Sequence, residues 1–306
     1  MTHATHHHHP HGGAHDGSQD STEMDWERLG PYLEQEAEIE EPVLEQAAQW
    51  LHELLAPTRI LDLGSGPGVA TTLFARVFAT AEVTAVDGTR ALLDRTLARA
   101  HRLGLGRRVD TRLAELPDAL DPGTVGRGDL VWASKSLHHV GDQRAAVRAA
   151  AELVRPGGVL AVAEGGLPER WLPRDTGTGR PGLQARLDAV TEDWFTAMRA
   201  ELPGARDEPD DWPALLAAAG LEPVGSRTFL LDLPAPLDAA VREHLCERLA
   251  RVPEMAGDRL DAEDRAAVER LLDPDDELGL RRRPDAFLLR ARTVHVARRV
   301  EDGAEA

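Results

Sequence analysis

The chain of 306 residues has one cysteine, one tyrosine and, at position 135, its only lysine. With Cys246 alone, no intrachain disulfide can form and no cysteine-based zinc site can be built. No apolar run is long enough for a transmembrane helix. The N-terminus is polar and His-rich and lacks the apolar segment of a secretory leader, so a cytoplasmic location is expected. Basic residues cluster nowhere beyond the short run Arg281-Arg282-Arg283, and the formal net charge is −18. Such a surface repels phosphate backbones and anionic lipid. The expected partner is therefore a small molecule or a peptide, with neither nucleic acid nor membrane involved, and the chain reads as a monomer or homodimer. No internal repeat is visible.

Residues 1–23 are of low complexity, with seven histidines before Asp16. They read as a disordered tail or a purification tag. Clustered imidazoles bind Ni²⁺ or Zn²⁺, but that would not make a catalytic site, and no metal is expected in the reaction. From Asp25 to Leu55, Leu29, Leu33, Ile39, Leu44, Ala47 and Leu51 recur near the helical period, with Pro42 expected to split the helix. This gives an expected N-terminal helical lid over 24–56, in which Trp26 and Tyr32 would meet Trp171 and Arg174. The rest, 57–306, reads as one domain with a helical insertion at about 237–283.

In that domain strand and helix signals alternate. Strands are expected at Arg59–Leu63, Glu82–Val86, Val109–Leu113, Asp129–Ala133 and Val159–Ala163. Helices are expected at Val69–Phe78, Arg90–Leu103 and Arg144–Leu153, the last ended by Pro156-Gly157-Gly158. Such alternation implies an α/β fold, a doubly wound and mostly parallel sheet covered on both faces. Helices at Leu183–Leu202, Trp212–Ala219, Leu237–Arg251 and Asp261–Leu272, and strands at Pro223–Leu233 and Phe287–Ala297, follow less regularly.

The most informative segment is Ile60-Leu61-Asp62-Leu63-Gly64-Ser65-Gly66-Pro67-Gly68, which leaves a buried strand and enters a helix. Glycines there allow a tight turn and close approach of backbone to ligand. A dinucleotide fingerprint needs G-x-G-x-x-G around a pyrophosphate. Here the spacing is G-x-G-x-G, with a carboxylate two residues before the first glycine. That carboxylate suits a cationic amino acid better than a pyrophosphate. Asp87 closes the next strand, where an acid can hold a ribose diol, and Gly88 clears space beside it.

Residues 59–163 resemble the core of the class I S-adenosylmethionine-dependent methyltransferases. The Leu61–Gly68 string is similar to their first motif and Val86-Asp87-Gly88 to their second. Asp129–Ser134 with Leu137-His138-His139-Val140 is similar to the fourth, and Leu153–Gly158 to the turn into the fifth strand. The resemblance implies a seven-stranded sheet with an antiparallel last strand, and S-adenosyl-L-methionine held by Asp62, Gly64, Ser65, Gly66, Gly68, Asp87, Gly88 and Ser134. The family often places an acid after the third strand to read the adenine amine. By spacing that place holds Arg112, with Leu113 next and Glu115 nearby, so Arg112 and Leu113 join the expected cofactor set.

The sulfonium is already activated, so placement of donor and acceptor carries most of the reaction, and a base helps only if the acceptor must lose a proton. His138, His139 and Glu164 are the candidate catalytic residues, with Lys135 a charge that orients substrate or lies at the surface. A composition rich in Ala, Arg, Leu and Gly suits a GC-rich bacterium. Methylation of a small molecule in bacterial specialised metabolism is the leading expectation. The alternatives are methylation of a peptide or protein side chain, and a cofactor-binding protein without methyl transfer.

Overall fold

Four strands are apolar on consecutive positions because both faces of the sheet are covered. In a computed structural model describing residues 26–301, Ile60, Leu130, Trp132, Val159 and Ala161 enter one hydrophobic core, while their neighbours Leu61, Val131, Leu160 and Val162 enter a second core on the other face. Successive side chains of a strand point to opposite faces, so each strand feeds both layers. The expected tail 1–23 lies outside the described residues.

The strands are β1 (Arg59–Leu63), β2 (Glu82–Asp87), β3 (Val109–Leu113), β4 (Gly128–Ser134), β5 (Val154–Arg170), β6 (Glu222–Leu233) and β7 (Leu288–Arg298). They form one seven-stranded sheet in the order β3-β2-β1-β4-β5-β7-β6. The pairs among β1 to β5 are parallel, and β7 runs antiparallel to both β5 and β6. This is the expected doubly wound sheet with an antiparallel last strand. The helices are α1 (Trp26–Ile39), α2 (Glu41–Leu54), α3 (Val69–Val77), α4 (Arg90–Arg102), α5 (Gln143–Glu152), α6 (Leu183–Ala200), α7 (Trp212–Ala218), α8 (Ala239–Ala256) and α9 (Ala262–Leu272). One core takes buried residues of α2, α3, α8 and α9, and the other takes those of α5 and α7.

Two elements differ from the sequence reading. The N-terminal helix breaks at Glu40, and Pro42 sits in the first turn of α2. A proline there gives up an N–H that has no helical partner anyway, so the break precedes it. Strand β5 is far longer than Val159–Ala163. At its start Gly128 pairs with Val154 and Leu130 with Val159, so Arg155-Pro156-Gly157-Gly158 bulges out of the ladder with Gly157 at φ +77°. At its end β5 outruns β4 and is held by β7 alone, with Leu167 opposite Ala291 and Arg170 opposite Leu289.

Phe74 of α3 is fully buried and meets Trp132 of β4 edge to face, with ring centroids 5.2 Å apart. Phe74→Ala is expected to lower the unfolding free energy in urea by about 3–5 kcal/mol through the cavity it leaves.

Candidate functional site

Register brings the expected residues to one edge. Leu63 lies opposite Val86 and Ala133, and Ser134 lies opposite Ala163. Gly64, Asp87 and Ser134 therefore stand at the carboxyl ends of adjacent strands, and Glu164 lies on β5 directly past its last pairing with β4, at the edge where an open α/β sheet binds its ligands.

The glycine loop is held from below. The amides of Gly64 and Ser65 donate to the Val86 carbonyl at 2.8 and 3.1 Å. Gly64, Gly66 and Gly68 all have left-handed φ, at +64°, +54° and +80°. A Cβ on Gly64 would lie 2.4 Å from Ser136, and one on Gly68 would lie 2.5 Å from Thr96, so both are also forced by contact. A Cβ on Gly66 would meet nothing within 4 Å, so the loop faces open space there. Thr96 Oγ1 donates to the Gly66 carbonyl at 3.1 Å. Nearby, the Ser65 hydroxyl is buried without a hydrogen-bond partner, an orphan that a bound ligand would satisfy.

Asp87 ties this loop to β2. Its Oδ2 accepts from the Gly66 amide at 2.9 Å and its Oδ1 from the Thr89 amide at 2.8 Å. A carboxylate has about four acceptor positions, so roughly two remain for the hydroxyls of a ribose. Burial raises the Asp87 carboxyl above its ordinary value, against the pull of those two amides. Asp62 lies deeper, 2% exposed, and accepts from the Thr71 hydroxyl. Burial pushes its carboxyl up to about 7; the Thr71 bond opposes this, and the charge of Asp87 adds to it.

The third-strand position departs from expectation. Arg112 pairs with Asp110 of its own strand at 2.6 Å, and the Leu113 side chain is exposed. The group that reaches the loop is Glu115. A Cβ on Gly88 would lie 2.3 Å from its Oε2, so this carboxylate packs against Gly88 beside Asp87. The chain passes Asp87 in register with Leu113, and Ala114 then donates its amide to the Asp87 carbonyl at 3.0 Å. That turn sets Glu115, itself exposed, against Gly88, which spacing alone does not reveal.

Leu137–His139 forms one 3₁₀ turn after β4. Glu164 is buried; its Oε1 accepts from the Ser136 and Leu137 amides, both at 3.1 Å, and its Oε2 lies 2.7 Å from His138 Nδ1. A carboxylate only accepts, so His138 Nδ1 carries the proton and Nε2 is left as a base. His139 stacks obliquely on His138 with centroids 4.1 Å apart, and Phe195 of α6 meets both rings. His139 is itself exposed; partial desolvation by its neighbours lowers it to about 4, with the His138 charge adding to it, so His139 stays neutral at physiological pH.

Of the expected lid contacts, Tyr32 stacks on His244 at 4.7 Å with Arg251 over its ring at 3.6 Å. Trp171 instead enters the core with Leu172 and Leu183, and Arg174 lines a separate cavity of about 300 Å³ with Arg170 and Phe287. Trp26 has its side chain outside the described residues. Among the described residues no group of three or more His, Cys, Asp or Glu is placed to hold a metal, and no helix is long and apolar enough to cross a membrane.

Residues 61–160 match a family described as "Methyltransferase domain". The chain is 40% identical over 108 residues to a ubiquinone biosynthesis O-methyltransferase of Xanthomonas euvesicatoria, covering 35% of this chain and 42% of that protein. It is 36% identical over 113 residues to the protein of the same name from Bordetella avium, covering 36% of this chain and 45% of the relative. The chain thus spans less than half the length of these curated relatives. A solved structure of a candidate methyltransferase from Bacillus halodurans C-125 shares the fold, with TM-score 0.52 and 17% identity over 84% of this chain and 98% of that one.

The glycine cradle, the orphan Ser65 hydroxyl and the spare acceptor positions of Asp87 fit a cationic amino-acid nucleoside. A cation beside Asp62 favours its ionised form, so binding S-adenosylmethionine expels a proton wherever Asp62 is protonated beforehand. Affinity should therefore rise with pH through about 7, by roughly ten-fold between pH 6 and 8. Calorimetry in buffers of different ionisation enthalpy checks this, and Asp62→Asn should abolish the dependence.

Proposed function

We propose that this chain, whose residues 61–160 match a methyltransferase domain, moves a methyl group from S-adenosylmethionine to a hydroxyl of a small molecule. The observation that carries the reading is the dyad of His138, in the turn after β4, and Glu164, on β5 just past its pairing with β4, beside the glycine loop. The names of the curated relatives, which are O-methyltransferases, support oxygen as the acceptor atom. The net charge of −18 argues against a polyanionic substrate. Specialised metabolism in a GC-rich bacterium is the setting that the composition favours.

Ser65, Gly66, Asp62, Asp87 and Glu115 would hold the cofactor, with Gly88 leaving room for Glu115. When bound, S-adenosylmethionine supplies a methyl on a sulfonium, activated for in-line displacement. His138 Nε2 takes the proton of the acceptor hydroxyl. Glu164 fixes the tautomer and stabilises the imidazolium that forms. The two backbone amides on Glu164 Oε1 keep that carboxylate from turning away. His139 and Phe195 wall the imidazole on its open side. The N-terminal helix α1 acts as a lid over this edge, while α2 is part of the core beneath it.

A panel of phenolic and other hydroxylated small molecules, followed by release of S-adenosylhomocysteine, tests the assignment. With an accepted substrate, His138→Ala should lower kcat by about 10²–10⁴-fold and leave cofactor affinity within about two-fold. Full turnover in both His138→Ala and Glu164→Gln would exclude the base.

A further inference from the structure

Of the 35 basic Lys and Arg residues in the chain, Lys135 alone is lysine, and it occupies an unusual place. It has φ +51°, a left-handed conformation that glycine takes readily and a lysine rarely. It directly follows β4, and its amide donates to the Ala163 carbonyl at 3.3 Å, the last bond before the chain turns. The turn so made aims the next two amides, of Ser136 and Leu137, at one oxygen of Glu164. Ser136 also donates its hydroxyl to the Leu63 carbonyl at 3.2 Å and abuts Gly64. One residue thus sets both the carboxylate that orients His138 and one wall of the glycine loop.

What holds Lys135 in that conformation comes from far away in sequence. Its ammonium lies 3.1 Å from Glu36 Oε1 on α1 and 2.7 Å from Glu40 Oε2 at the junction of α1 and α2. The same two carboxylates face Arg290 and Arg292 of β7, and Arg290 also grips Glu169 of β5, which Arg248 of α8 contacts as well. Burial alone would raise Glu36; the charges of Lys135 and Arg290 overcome it and hold this carboxyl at about 2. Glu40 is likewise held well below the carboxylate range against its burial, by Lys135, Arg290 and Arg292. Both glutamates are therefore anions at any working pH, fixed by β7 and presented to Lys135. The ammonium is the only link in this cluster that belongs to the loop bearing His138.

We propose that Lys135 is a positioning residue: through Glu36 on α1 and Glu40 at its end it makes the seating of α1 a condition for the productive setting of His138. The proposal rests on the reading of His138 as the base. With α1 seated, Lys135 is pinned, the left-handed turn persists and Glu164 keeps both amides. With α1 lifted, the turn relaxes toward ordinary φ and Glu164 and His138 lose their register. The base is then assembled only when the site is covered, which keeps water from competing for it.

The test uses the full chain uniformly labelled with ¹⁵N, with the His138 ring resonances assigned by their loss in His138→Gln. In the wild type the ring should show the Nδ1-protonated tautomer. In Lys135→Met, and in the lid-side double variant Glu36→Gln/Glu40→Gln, that signature should give way to a mixture of tautomers. Exchange of the Ser136 and Leu137 amides should speed by about ten-fold or more, as expected when a charge-assisted contact is lost. Lys135→Gly, which removes the ammonium but takes the left-handed turn without strain, should lose less of the signature than Lys135→Met, and an equal loss in the two would overturn the role given to the turn. A melting temperature near wild type in the lid-side variant separates positioning from loss of fold. If the folded variants keep the wild-type tautomer and exchange rates, the inference is overturned while the methyltransferase reading stands. If the wild type itself lacks the Nδ1-protonated form, the base assignment fails instead.

Discussion

A buried carboxylate that accepts a glycine amide carries the architecture of this site. The Asp87 bond to Gly66 joins the loop after β1 to the end of β2, and the loop that it shapes is the one with an open face and an orphan hydroxyl. Without it the amide of Gly66 and one oxygen of Asp87 would each be left without a protein partner in a partly dry place, which costs more than a typical hydrogen bond contributes. The other features of the edge are arranged around this bond. Thr96 holds the loop from α4, Ser136 closes it from β4, and Glu115 fills the space beside Gly88.

Charge is organised at two depths. Near the cofactor loop the acids Asp62 and Asp87 are buried with hydroxyl and amide partners and no arginine, and both carboxyls are raised. That is an unfavourable arrangement for the protein alone and a favourable one for a cationic ligand. Some distance off, Glu36 and Glu40 are buried among Lys135, Arg290 and Arg292, and both are lowered. A second set of pairs runs from Glu34 and Glu38 of α1 to Arg95, Arg99 and Arg102 of α4. Arg99 also donates to Thr72 of α3 at 3.1 Å. Buried pairs of this kind contribute little net stability against a hydrophobic alternative, but breaking one partner is strongly unfavourable. They fix where α1 lies, and α1 in turn bears on the loop that holds His138.

The sheet was legible in the sequence because its central strands are short and apolar without interruption, as in Ile60–Leu63 and Leu130–Ala133. The loop was legible because glycine spacing and the flanking Asp62 report backbone geometry directly. The extension of β5 through Gly165-Gly166-Leu167-Pro168 was not, since a polar, glycine-rich stretch carries no period of two and is held as strand only by β7. The contact of Glu115 with Gly88 was not legible for a related reason. Which side chain meets the end of β2 depends on how the chain leaves the ladder of β3, and spacing does not encode that. The partners of Lys135 lie about a hundred residues away in sequence, so a lysine that reads as a surface charge is in the fold an internal strut.

The account stands on the glycine loop and Asp87 gripping S-adenosylmethionine and its demethylated product. Titration of S-adenosylhomocysteine into wild type and Asp87→Ala by calorimetry, with NAD⁺ as the control ligand, tests this most directly. The account predicts saturable binding to the wild type, a loss of about ten-fold or more in Asp87→Ala from the hydrogen bonds removed, and no heat with NAD⁺. Equal affinity of the two proteins, or absence of binding to the wild type, would contradict it.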